Sequence, residues 1–213
     1  SWGGYLGSAY LSKIENQNQV KAWISIVGTN SFSKIANVGK EKLLFYANQQ
    51  IALSQNIEDW TEIRDWALQQ DTITTTEDFG KGNSFAAKAE RLMEDSLIIT
   101  TEMASVSDQL SFVYNSPFNA NAWLSNLKGI RKSGLIDHLL EQDIQVNSIQ
   151  IPSFFIGGKF DFIVPEEVLQ DQFDAIPTEE KEIYILPNSG HNIIAHETDE
   201  LNHLLINFIE KYK

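Results

Sequence analysis

Apolar side chains near the start of the chain recur at spacings of three and four. Tyr5, Leu6, Ala9, Tyr10 and Ile14 therefore predict an amphipathic helix over residues 4–15. The polar stretch Asn16-Gln17-Asn18-Gln19 should end that helix. Residues 20–27 (VKAWISIV) are β-branched and aromatic and are closed by Gly28-Thr29-Asn30, the pattern of a buried strand. The texture then changes. Residues 40–53, 56–70, 84–104 and 120–127 show helical spacing, and 130–140 adds another helix that Gly134 should weaken. Residues 72–82 are polar and carry Gly80 and Gly82, so a flexible loop is expected there. No strand is expected between residues 31 and 147.

Strand and helix alternate again from Ile149. The run Ser153-Phe154-Phe155-Ile156 ends in Gly157-Gly158, and Pro165 is suited to open a helix over 166–173. Residues 182–186 (EIYIL) form another expected strand, stopped by Pro187-Asn188-Ser189-Gly190. A closing helix over 197–212 gathers Leu201, Leu204, Leu205, Phe208 and Ile209 on one face. The outline is an α/β core at residues 1–30 and 148–213, interrupted by a helical block at 31–147.

Composition narrows what such a chain does. Its 213 residues are 42% hydrophobic, within the range of an ordinary globular protein. Sixteen Lys and Arg against 29 Asp and Glu leave a net charge of −13, which repels phosphate backbones and anionic headgroups. No nucleic-acid partner is expected. A membrane span would need about 18 consecutive apolar residues, and no such run occurs. The absence of cysteine excludes disulfides, thiolate metal sites and cysteine nucleophiles. His138, His191, His196 and His203 show no metal-ligand spacing with nearby carboxylates, so no metal is expected.

Loops at strand ends hold the reactive residue types. Ser1 precedes Trp2-Gly3-Gly4 and the first helix, Asp161 follows the 154–156 strand, and His191 follows the 183–186 strand. In a parallel sheet, loops at the carboxyl ends of strands share one edge. A serine, an acid and a histidine there supply a nucleophile, an orienter and a base. Singly, each has a plainer reading: a chain terminus, a turn-forming acid ahead of Pro165, and a loop histidine. His196 stands as a second candidate base, whereas His138 and His203 read as surface or packing residues.

Ser1-Trp2-Gly3-Gly4 resembles the second half of the G-x-S-x-G nucleophile elbow of the α/β-hydrolase superfamily, and the order Ser, Asp, His is that superfamily's order. Gly157-Gly158-Lys159-Phe160-Asp161 with Val164-Pro165 resembles its acid loop, and Ser189-Gly190-His191 its histidine loop. The helical block resembles the cap carried by many members, most closely those of the proline-iminopeptidase-like branch. The resemblance implies an α/β fold with a mostly parallel sheet, of which this chain is the C-terminal portion, and a large helical cap insertion. It implies a serine hydrolase working through an acyl-enzyme on a small ester, amide or short peptide, with aminopeptidase ahead of carboxylesterase. Ser1 would be the nucleophile, His191 the base and Asp161 its orienter, and the Trp2 N–H would serve the oxyanion hole. No organic cofactor is implied.

The Gly-x before the serine, the strand that aims it and the loop supplying a further oxyanion donor are not in this sequence. An upstream segment of the same protein is therefore expected, and any targeting signal would lie in it. Within the block, Phe45, Tyr46, Trp60, Trp66, Phe85, Phe112, Tyr114 and Trp123 are expected mainly to pack the helices. In iminopeptidases cap acids bind the substrate amine, which offers Glu62 or Glu102 for that role; a solvated acidic face is the plainer reading. The competing reading of the whole chain is a non-catalytic α/β-hydrolase-like binding protein.

Overall fold

The computed structural model describes residues 2–95, 129 and 133–213. Ser1, Glu102, Phe112, Tyr114, Trp123, the helix expected over 120–127 and the end of that expected over 84–104 lie outside the described residues.

Short apolar runs make the sheet. β1 (Trp23–Ile26), β2 (Ser153–Gly158) and β3 (Lys181–Leu186) are hydrogen-bonded in that order, and both pairings are parallel. Trp23 faces Ser153, which faces Lys181, so the carboxyl ends of the strands share one edge. Every residue of β2 is buried, as a central strand covered on both faces requires. Alternation divides its side chains. Phe155 joins Tyr5, Leu11, Trp23 and Leu169 in the larger core, while Phe154 and Ile156 pack with Leu201 and Phe208 on the other face.

The first helical segment departs from the expected single helix. α1 (Trp2–Leu11) and α2 (Ile14–Gln17) are separate, and the Ser12 hydroxyl bonds back to the Ala9 carbonyl at 2.9 Å where they part. The polar stretch expected to stop the helix thus holds part of a second helical turn, because buried Gln17 donates to the Leu11 and Ser148 carbonyls. The buried face of α1 is also different. Gly4, Tyr5, Ser8 and Leu11 are buried, whereas Leu6 and Tyr10 are exposed. Gly4 lies on this face because backbone approaches backbone there: a Cβ on Gly4 would stand 2.3 Å from Gly28 Cα, just beyond β1.

Between β1 and β2 the described residues form helices and no strand. α3 (Phe32–Ala52) begins well before the expected residue 40, because the Ser31 hydroxyl caps it by accepting the Lys34 N–H at 3.0 Å. α4 (Ile57–Gln69) lies close to its expected span. α5 (Thr76–Asp95) overturns the loop expected over 72–82. Glu77 and Asp78 suit a first helical turn, the Asp78 N–H bonds the Thr75 hydroxyl, and Phe79 is buried. These tertiary and capping gains outweigh the low helix propensity of Gly80 and Gly82. α6 (Leu135–Glu141) starts after Gly134, whose φ of 69° places it at the boundary and not within the helix.

The rest is a βαβ unit and its closing helices. α7 (Glu166–Ala175) joins β2 to β3 after Pro165. A short α8 (Ile193–His196), not anticipated, precedes α9 (Thr198–Tyr212). On α9 only Leu201 and Phe208 are fully buried, and Ile209 is exposed.

Candidate active site

Chain direction puts the acid and histidine loops at the carboxyl edges of adjacent strands β2 and β3. They are joined by backbone. The Lys159 N–H donates to the Leu186 carbonyl and the Phe160 N–H to the Ser189 carbonyl, each at 2.9 Å. Gly158 permits this approach, since a Cβ there would stand 2.4 Å from the Gly190 carbonyl oxygen. Lys42 of α3 supports the acid loop by donating to the Lys159 carbonyl at 2.8 Å. Burial pushes the Lys42 ammonium below its ordinary pKa.

Asp161 is fully buried and both oxygens of its carboxylate are hydrogen-bonded. Oδ1 accepts the Ile163 and Val164 N–H groups at 2.8 and 2.7 Å, and Oδ2 lies 2.8 Å from His191 Nδ1. A carboxylate only accepts, so Nδ1 carries the proton in this pair and Nε2 is left as the ring's basic atom. Burial opposes charging of the imidazole. The Asp161 charge and hydrogen bond outweigh it and hold His191 above its ordinary pKa. The pair therefore has the geometry of an oriented base.

Trp2 opens α1, whose first-turn N–H groups have no acceptor within the helix. Its ring rests against Phe32 with centroids 4.9 Å apart. The contact of Gly4 with Gly28 sets the start of α1 at the carboxyl edge of β1, the edge that carries Asp161 and His191 beside it. Ser1 lies outside the described residues.

The other histidines have different surroundings. His196 is buried; its Nδ1 accepts the Gly190 N–H at 2.8 Å and its Nε2 lies 3.2 Å from Glu94 of α5. Both ring nitrogens are engaged in holding the histidine loop. His138 and His203 are exposed. Glu62 is exposed and paired with Lys88 at 2.6 Å. Trp60, Trp66 and Phe85 are buried, whereas Phe45 is exposed.

Sequence reasoning missed several loop supports. Glu197 accepts both the Ser189 hydroxyl and the Asn188 N–H, at 2.7 and 2.9 Å. Glu90 of α5 accepts the His191 N–H at 3.1 Å and the Phe162 N–H at 3.4 Å through the same oxygen, Oε1. Burial first, and then the Asp161 charge, push the Glu90 carboxyl up to about 7. A signal was available: Glu90 lies on a helical face with the apolar Ala86, Ala89 and Met93.

No protein-family model matches the chain, and no curated protein matches it in sequence. Solved structures do match it. An epoxide hydrolase from Bacillus megaterium, solved as a point mutant, aligns with a TM-score of 0.54 at 14% identity, covering 99% of this chain and 67% of that one. VinJ aligns with a TM-score of 0.51 at 14% identity, covering 100% and 64%. MGS-M2, an α/β-hydrolase enzyme from a Medee basin deep-sea metagenome library, aligns with a TM-score of 0.50 at 14% identity, with coverage of 100% and 64%. At these identities the likeness is one of fold. The chain has an α/β-hydrolase-type fold, with a parallel sheet and, among the described residues, helices inserted between β1 and β2. It spans 64% of the length of VinJ and of MGS-M2.

Proposed function

We propose that this chain belongs to a hydrolase that uses a serine nucleophile and an acyl-enzyme intermediate. The observation carrying the reading is the 2.8 Å contact between buried Asp161 and His191 Nδ1 at the carboxyl edge of a parallel sheet. In the proposed reaction Ser1 Oγ attacks the carbonyl carbon of an ester, amide or short peptide. His191 Nε2 takes the hydroxyl proton, and Asp161 stabilises the imidazolium through Nδ1–H. The Trp2 N–H donates to the tetrahedral oxyanion. His191 then returns the proton to the departing alcohol or amine. Water, deprotonated by the same imidazole, attacks the acyl carbon, and collapse of the second intermediate frees the acid and restores Ser1.

A serine nucleophile favours acyl transfer over the chemistry of family members that place an aspartate at the elbow. Aminopeptidase activity is our first choice of substrate class, on the resemblance to the proline-iminopeptidase-like branch. By the same resemblance, the aiming strand and a second oxyanion donor belong to an upstream segment. The test is a fluorophosphonate probe on the full-length protein. Covalent labelling that Ser1→Ala removes is the expected result. A folded protein that stays unlabelled would favour the non-catalytic binding reading.

A further inference from the structure

Glu90 sits where a carboxylate is costly. It is buried on α5, close enough to Asp161 for the two charges to repel, and its neighbours on the helix face are Ala86, Ala89 and Met93. An apolar side chain would fill such a position more cheaply, but it would leave two N–H groups of the loops below without an acceptor. Those N–H groups belong to His191 and to Phe162, the residue following Asp161. One oxygen thus binds the base's own backbone and the backbone beside the acid.

We infer that Glu90 is a positioning residue for the His191–Asp161 pair, its Oε1 acting as a common acceptor that sets the histidine loop against the acid loop. The inference rests on the proposed catalytic role of that pair. The geometry makes the clamp specific. β2 and β3 fix the stems of the two loops, and the Phe160 N–H to Ser189 carbonyl bond ties them before Asp161. Beyond that bond each loop must place one side-chain atom within 2.8 Å of the other's. Glu90 acts at that point. Glu94, one helical turn on, reinforces it by meeting His196, which itself accepts the Gly190 N–H. The insertion is therefore part of the base's support through α5.

The distinction from simple satisfaction of buried donors is measurable. In the full-length protein, the His191 Nδ1 proton bonded to Asp161 is read directly by its downfield proton NMR resonance, without any need for turnover. Glu90→Gln keeps an acceptor oxygen at the same reach. Glu90→Asp withdraws it by one methylene, and Glu90→Ala removes it. The Asp and Ala variants should shift or broaden the resonance, whereas Gln should retain it. If Ser1 reacts with the fluorophosphonate, Asp and Ala should also slow labelling on the order of 100-fold, the scale of a 1 Å misplacement, with Gln restoring most of the rate. An unchanged resonance in a folded Asp or Ala variant overturns the inference, as does a Gln variant that loses it. If Ala does not fold, Asp against Gln decides. Failure of Ser1 to label would refute the proposed function while leaving the resonance test of Glu90 intact.

Discussion

His191 Nδ1 lies 2.8 Å from Asp161 Oδ2 across 30 residues of chain, and the acid is entirely withdrawn from solvent. The other carboxylate oxygen is held by the N–H groups of Ile163 and Val164. Oδ2 is therefore aimed by the turn that contains it, before the histidine is considered. Asp161→Asn should preserve the turn through its amide oxygen while presenting a donor to Nδ1, which reverses the ring tautomer. Fluorophosphonate labelling of Ser1 should slow by about three to four orders of magnitude, with the fold retained by circular dichroism. A folded Asn variant labelled at the original rate would exclude Asp161 as the orienter.

The two engaged histidines should separate in mutant form. His191→Ala should abolish labelling and, by leaving Oδ2 of the buried Asp161 without its donor, should also lower stability. His196→Ala should leave the buried Gly190 N–H unpaired and cost about 1–3 kcal/mol in urea unfolding, while labelling persists. The reverse pattern would make His196 the base.

Gly158 allows two loops to meet, and the cost of filling that space is predictable. In Gly158→Ala the new Cβ would stand 2.4 and 2.5 Å from the carbonyl oxygens of Gly190 and Ser189, backbone atoms that cannot swing aside. Destabilisation of about 1–3 kcal/mol is expected, together with slower labelling as the loops separate. Chemical denaturation of both forms checks it, and equal midpoints would contradict the close approach.

Glu90 and His191 make stability depend on pH in the same direction. The Glu90 carboxyl moves from 4.5 to about 7 on folding, so the native state retains a proton that the unfolded chain gives up. Its stabilising contribution is complete below the unfolded value and is lost as pH rises through about 7. His191, raised above 6.5, likewise contributes fully below that value and loses its contribution as pH rises through the folded one. Urea midpoints should therefore fall as pH rises from about 4.5 to about 7, with the His191 contribution lost from 6.5 upward, and should fall less in Glu90→Gln. Parallel slopes for the two proteins would show that Glu90 does not titrate in this range.

Much of the architecture was legible in the chain because it is written in local patterns. The strands around Trp23, Phe155 and Ile183 are short apolar runs ended by glycine or proline, and the closing helix repeats its apolar residues at helical spacing. The candidate acid and histidine loops were marked by residue types at strand ends. What local pattern could not supply was the environment of each side chain. Residues 76–82, the first part of α5, read as loop because Gly80 and Gly82 disfavour helix, yet Phe79 burial and the Thr75 contact to Asp78 decide otherwise. Leu6 and Tyr10 share the apolar spacing of the first helix, but the close approach of Gly4 to Gly28 turns the face of Gly4, Tyr5, Ser8 and Leu11 inward. The engagement of His196 and the reach of Glu90 to His191 depend on contacts over 102 and 101 residues respectively. Periodicity reports which face of an element is apolar. Only the packing of distant elements determines whether a polar group on that face finds a donor, and in Glu90 it finds two.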